Sequence, residues 1–149
     1  MDLRKNIFIL SAPSGTGKNT VFNSLRQRVP EIEKVITATT RKLRANEKDG
    51  IDYYFYTLEK FEKRSSRNEF VEQNLYDNGY YATPFEVIHK HSLTTPLFLI
   101  IDTRGMRNVM RKFPLSTSIF LMLPSVEDLE RRVRNRGDNT PEEIQSRIN

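Results

Sequence analysis

The sequence predicts an α/β domain built on a parallel sheet. Three observations carry that expectation. Apolar runs of strand length stand at Ile7–Leu10, Leu97–Ile101 and within Ser118–Leu123, and a helical pattern follows each of them. Between the first two lies a middle section rich in tyrosine, threonine and hairpin signals. Runs without polar alternation suit strands covered on both faces, as in a parallel sheet whose connections are helices. The chain has 149 residues and fits one domain, large enough to bury about 68–70% of its unfolded surface. Its hydrophobic content of 37% against 29% charged residues excludes a disordered chain.

In chain order, Ile7–Leu10 is the first strand, a glycine-bearing loop follows, and a helix runs from Lys18 to about Val29. Pro30 breaks that pattern, and Val35–Thr39 reads as a short strand. After the polar stretch 41–52, Tyr53–Tyr56 is β-prone, and Thr57 opens a helix that continues through Phe61 to about Ser65. Phe70–Leu75 and Tyr80–Thr83 read as two strands joined at Asp77-Asn78-Gly79, a strong hairpin signal. A helix can begin at Pro84, with Val87, Ile88 and His91 on one face. Leu97–Ile101 ends in Asp102, a helix covers about Gly105 to Lys112, and Ser118–Leu123 is expected to be a second strand buried on both faces. Ser125 caps a last helix with Asp128 three residues on, and Val126, Leu129 and Val133 form its apolar face.

The composition excludes several functions. There are no cysteines, hence no disulfides or thiolate metal sites. His89 and His91 are too isolated to suggest a metal centre, and no metal ligand is assigned. No apolar run approaches the ~20 residues of a membrane span, and the stretch after Lys5 is too short for a signal peptide, so a cytoplasmic protein without membrane partners is expected. A net charge of +5 suits an anionic partner. The lysines and arginines are scattered, without a basic stripe or stacking motif, so nucleic acid is not the expected one.

The loop Ala12-Pro13-Ser14-Gly15-Thr16-Gly17-Lys18-Asn19-Thr20 follows the pattern G-x-x-x-x-G-K-S/T in its required context, strand before and helix after. Such a loop turns successive backbone N–H groups onto one anion, the helix N-terminus adds partial positive charge, and Lys18 supplies a full one. Ala12 stands at the first glycine, which is tolerable with a negative φ. Asn19 stands where Ser or Thr meets Mg²⁺, with a hydroxyl at Thr20.

Further motifs follow in a fixed order: T-T-R-x-x-R-x-x-E-x-x-G-x-D-Y from Thr39 to Tyr53, F-V-E at Phe70–Glu72, Y-Y-A-T at Tyr80–Thr83, I-D-x-x-G at Ile101–Gly105, P-S-x-E-x-L at Pro124–Leu129 and R-G at Arg136–Gly137. In that order and spacing the chain resembles guanylate kinases from about residue 5 to residue 149. The resemblance implies a P-loop NTPase sheet flanked by helices (core about 5–36 and 84–135), a small β-rich GMP-binding insert (about 37–83) and a helical lid (about 136–149), in one domain. The family's usual C-terminal strand and helix are absent. An open sheet edge at Ile119–Leu123 is then expected, and with it self-association.

The resemblance also implies roles. Lys18 and the loop would hold ATP, with Mg²⁺ bound through nucleotide phosphates and water. Arg41, Arg44, Tyr53 and Tyr81 would hold the GMP phosphate, since guanidiniums can grip a dianionic phosphate by forked hydrogen bonds. Thr37, Glu72, Thr83 and Asp102 would read guanine, whose N1–H and N2–H donors one carboxylate can accept together. Arg132, Arg136 and Arg147 would close over the ATP phosphates, with Lys18 and Arg41 completing the catalytic cations. The reaction implied is ATP + GMP to ADP + GDP. Three positions depart from the family: Asn19, Ile100 where a carboxylate is usual, and Arg104 where Gln is common. The alternative is a catalytically impaired relative that binds GMP or a phosphorylated partner; the presence of Lys18 favours the enzyme.

Overall fold

The computed structural model describes residues 5–13, 16–76, 78–91, 93–125, 127, 128 and 131. Two four-stranded sheets share them. The first is wholly parallel, in the order β2 (Glu33–Lys34), β7 (Leu97–Ile100), β1 (Ile7–Ser11), β8 (Thr117–Phe120). Alternation along its central strands sends side chains to two cores. Ile7, Ile9, Leu97 and Leu99 pack with Val87 and Ile88 of α3 (Phe85–His89) and Val109 of α4 (Thr103–Lys112). Leu10 and Phe98 pack on the other face with Phe22 of α1 (Lys18–Arg28). Both faces are therefore dry at β1 and β7, as their continuous apolar runs predict.

The second sheet is mixed, in the order β4 (Tyr54–Phe55), β3 (Ala38–Thr39), β6 (Gly79–Pro84), β5 (Phe70–Tyr76). One face packs on α2 (Leu58–Ser66), where Phe61 stacks on Phe70 and Tyr80 with ring centroids 4.9 and 4.8 Å apart. Thr57 caps α2, its Oγ1 accepting the Lys60 N–H at 3.2 Å. Arg64 ties this layer together, donating to Glu69 (2.7 Å), Glu86 (2.6 Å) and the Tyr56 hydroxyl (2.6 Å). A bulge between Phe70 and Glu72 turns Val71 into the first core and sets Glu72 opposite Thr83.

Several sequence expectations shift. Val35–Thr39 is not one strand: Glu33–Lys34 pairs with β7 in the first sheet, while Ala38–Thr39 pairs in the second. The chain crosses between sheets over residues 35–37, and a five-residue β-prone run carries no sign of that change of partner. α3 ends at His89, so His91 lies beyond the face expected for it. α4 starts at Thr103 because Asp102 caps it, Oδ1 accepting the N–H groups of Arg104 (2.7 Å) and Gly105 (3.0 Å). β8 is exposed at all four residues, not buried, being the edge strand among the described strands. Ser125 does cap, its Oγ accepting the Asp128 N–H at 3.1 Å. Val126, Leu129 and Val133 lie outside the described residues, as does Asp77 of the hairpin turn.

Candidate active site

The loop after β1 leads into α1 through Gly17, whose φ of +90° is a conformation that a side chain would disfavour. Asn68 is the sole non-glycine with positive φ among the described residues, so Ala12 sits where a Cβ is tolerated. The Lys18 ammonium curls back over the loop, donating to the carbonyls of Ala12 (2.8 Å) and Pro13 (3.0 Å). Thr16 Oγ1 also donates to Pro13 O, at 2.9 Å. The parallel register Leu10↔Ile100 brings Asp102, just past the end of β7, beside this loop. Ligands of open α/β sheets bind at such carboxyl ends.

A cationic cluster lies where the 41–53 segment meets the hairpin. Arg41 is 8% exposed, and Glu47 takes both of its terminal nitrogens, at 2.7 Å (Nη1) and 2.5 Å (Nη2). Nη1 also donates to Lys42 O (2.8 Å) and Nε to the Tyr81 hydroxyl (3.1 Å), leaving one of the five guanidinium N–H groups. Glu47 further accepts the Arg44 backbone N–H at 3.0 Å. The Arg41 guanidinium hydrogen-bonded to it holds the Glu47 carboxyl below its ordinary pKa. The Arg44 guanidinium makes no hydrogen bond or ion pair among the described residues, while its charge acts on Glu47 and Tyr53. Tyr53 stands edge-on to Tyr81 at 6.0 Å, and burial raises its phenol pKa, so it remains a donor at neutral pH. Lys34 adjoins the cluster, its pKa lowered by burial against the opposing charges of Asp52 and Glu47.

On the same sheet, Glu72, Asn74 and Tyr76 alternate onto one face of β5, with Thr83 and Tyr81 directly across from the first two. Glu72 is 6% exposed. Its Oε1 accepts the Thr83 hydroxyl (2.7 Å) and its Oε2 accepts the Asn74 side-chain amide (2.8 Å). Burial pushes the Glu72 carboxyl up to about 7, and the nearby Asp102 charge adds to the rise. Burial, and after it the neighbouring Asp102 carboxylate, raise the Tyr76 phenol above its ordinary pKa. Gly105 leaves room for the carboxylate, since a Cβ there would stand 3.0 Å from Oε2. At one end of this site is a buried carboxylate; at the other, phenols and the Arg44 guanidinium.

Comparison with known proteins places the chain in a family. The sequence profile described as guanylate kinase matches residues 4–149. The chain belongs to the guanylate kinase family. It is 39% identical over 145 residues to the guanylate kinase of Prochlorococcus marinus subsp. pastoris, covering 97% of this chain and 79% of that protein. The guanylate kinase of Thermobifida fusca is likewise 39% identical, over 99% of this chain and 76% of its own. The crystal structure of guanylate kinase from Anaplasma phagocytophilum superposes with a TM-score of 0.72 at 29% identity, covering 95% of this chain and 79% of that one.

Against the family pattern, the structure gathers Arg41, Tyr53 and Tyr81 in one cluster and Glu72, Thr83 and Asp102 in a second. Thr37 is 7% exposed, next to β3. Asn19 and Thr20 are exposed on the first turn of α1. Ser14, Gly15, Arg132, Arg136 and Arg147 lie outside the described residues. Ile100, where a carboxylate is usual, packs into the α1-side core. Sequence reasoning gave no role to Glu47, Asn74, Tyr76 or Gly105. Glu47 is the E of the motif that contains Arg41 and Arg44, and Asn74 and Tyr76 follow Glu72 at the strand's period of two. Both signals are present in the sequence.

Proposed function

We propose that this chain transfers the γ-phosphoryl group of ATP to the phosphate of GMP, giving ADP and GDP. The observation that carries the reading is the buried Glu72 carboxylate, whose two oxygens each take one protein donor. A carboxylate oxygen accepts about two hydrogen bonds, so one acceptor place per oxygen matches the N1–H and N2–H of guanine. Adenine has no such donor pair, and AMP would leave one acceptor place on each oxygen buried and unfilled. At the other end, Arg44, Tyr53 and Tyr81 supply donors for the phosphate, and Arg41, committed to Glu47, orients them. Thr37 and Asp102 complete the base pocket.

A GMP phosphate oxygen attacks the γ-phosphorus while the bond to the β–γ bridging oxygen breaks, and that oxygen leaves on ADP. The nucleophile is already anionic, so the chain's task is positioning and charge neutralisation. Lys18 exchanges the Ala12 and Pro13 carbonyls for the ATP phosphates, joined by loop N–H groups. On the family pattern, Arg132, Arg136 and Arg147 supply the remaining cations. Among the described residues no group of three or more His, Asp or Glu could hold a metal. A Mg²⁺ would be held through the ATP phosphates and water, and the Asn19 amide and Thr20 hydroxyl at the start of α1 are the neutral oxygens the chain offers after Lys18. When bound, it neutralises phosphate charge. Pairing of two copies along β8 is supported by Ile119 and Phe120, 43% and 48% exposed on the strand that lies at the edge among the described ones, and sedimentation of Ile119→Lys against the parent tests it.

Steady-state ADP release with Mg-ATP and GMP, AMP or UMP tests the reading. Turnover with GMP alone, abolished in Lys18→Ala, supports it. GMP binding by a folded sample without GDP formation replaces it with a binding protein.

A further inference from the structure

The geometry points to Asn74 as a positioning residue for base specificity: its side-chain amide holds Glu72 Oε2 so that the carboxylate presents one acceptor place per oxygen to the base. This rests on the proposed GMP site and deepens it. Thr83 reaches Oε1 from β6 (2.7 Å) and Asn74 reaches Oε2 from β5 (2.8 Å), so the carboxylate is held from both strands of the hairpin. Four acceptor places less two protein donors leave the two that guanine needs. With Asn74 gone, Oε2 keeps two open places in a site 6% exposed, and nothing on β5 fixes the carboxylate plane.

The charges around Glu72 make this one amide consequential. Asp102, at the end of β7, opposes ionisation, whereas Lys112 of α4 favours it. Tyr76 is neutral beside Asp102, and the hydrogen bonds of Thr83 and Asn74 favour the carboxylate against burial. A buried acid held near neutrality responds to the loss of a single donor. Asn74 itself is half-buried, with only Tyr81 directly across the ladder, so replacing it leaves both cores intact.

Two variants test this: Asn74→Ala, and Asn74→Asp, which keeps the shape but removes the donor. The first readout is the ¹³C carboxyl titration of Glu72 in nucleotide-free protein, independent of any activity. The midpoint, near 7 in the parent, moves up by about one pH unit in Asn74→Ala, a tenfold change in ionisation constant, and further in Asn74→Asp. The second readout is KM for GMP across pH. It rises about tenfold at pH 6.5, because a tenfold weaker acid leaves about a tenfold smaller ionised fraction to accept the guanine donors, and the difference narrows above pH 8.5, where Glu72 is ionised in both proteins. KM for ATP stays put. An unmoved carboxyl midpoint in folded variants overturns the inference. So does a KM change equal at all pH values. If the parent fails to prefer GMP over AMP, the GMP-site reading itself fails, a result visible before any Asn74 variant is made.

Discussion

Replacing Glu47 by glutamine removes the charge opposite Arg41 while keeping the volume. The Arg41 side chain is 6% exposed and the Glu47 side chain 17%, with contacts of 2.5 and 2.7 Å. Removing one partner of a buried ion pair costs about 3–5 kcal/mol. The lower end applies here, because the rim of Glu47 admits water to the orphaned guanidinium. About 3 kcal/mol corresponds to a fall in Tm of roughly 6–12 °C for a domain of this size. Glutamine keeps one of the two oxygens, so the bonds to Arg41 Nη1, Arg41 Nη2 and the Arg44 N–H cannot all be retained, the loop that carries both arginines loosens and KM for GMP rises. The pH dependence has a definite sign. Glu47 has a folded pKa below its unfolded value, so its contribution is present above about pH 4.5 and disappears as pH falls through the folded pKa. Parent and Glu47→Gln should therefore differ in Tm at pH 7 and converge at low pH. Thermal unfolding by circular dichroism, with KM for GMP in parallel, reads both. A Tm loss under ~2 °C at pH 7, with KM unchanged, would show that Arg41 needs no carboxylate and refute the positioning argument.

Three further outcomes are expected. Gly79 has φ +135°, and a Cβ there would lie 2.9 Å from both Arg41 N and Thr40 Oγ1. Gly79→Ala should thus destabilise by about 1–3 kcal/mol from backbone strain alone and raise KM for GMP; a variant with parental Tm and KM would show that the turn does not set the Arg41 loop. Glu72 has a folded pKa above its unfolded one, so the proton it holds stabilises the fold at low pH, and that contribution is lost as pH rises from 4.5 through about 7. The loss is on the order of 3 kcal/mol and is absent in Glu72→Gln, which denaturant titrations from pH 4.5 to 8 would compare. Gly105→Ala brings a methyl group to 3.0 Å from Glu72 Oε2 and should weaken GMP binding measured by fluorescence competition more than it changes Tm; equal GMP affinity would mean the carboxylate has room to move.

The first sheet was legible because Ile7–Leu10 and Leu97–Ile101 lack polar alternation, which two-sided burial requires. Ser118–Leu123 has the same pattern, yet β8 is exposed: an apolar run reports strand propensity, while burial depends on which neighbours cover it. The hairpin was legible from its turn residues, but Val35–Thr39 was not, since pairing partners come from tertiary contacts. Glu72 illustrates the limit at the site. Its identity came from a motif, while its burial depends on the bulge at Phe70–Glu72 and the gap left by Gly105, two features that local periodicity does not encode. Arg41 was expected to hold a phosphate, and the structure adds that its fork is paired with Glu47. A charged motif residue six positions away gives no sign by itself of being an ion-pair partner.

The central claim is that Glu72, on β5 of the second sheet, reads guanine. Calorimetric titration of the purified chain with GMP, IMP and AMP, repeated with Glu72→Gln, tests it most directly. The account predicts that GMP binds about tenfold or more tighter than IMP, which lacks the N2–H donors. AMP should fail to bind measurably, and Glu72→Gln should erase the preference. Equal affinity for GMP and AMP, or a preference that survives in Glu72→Gln, would contradict it.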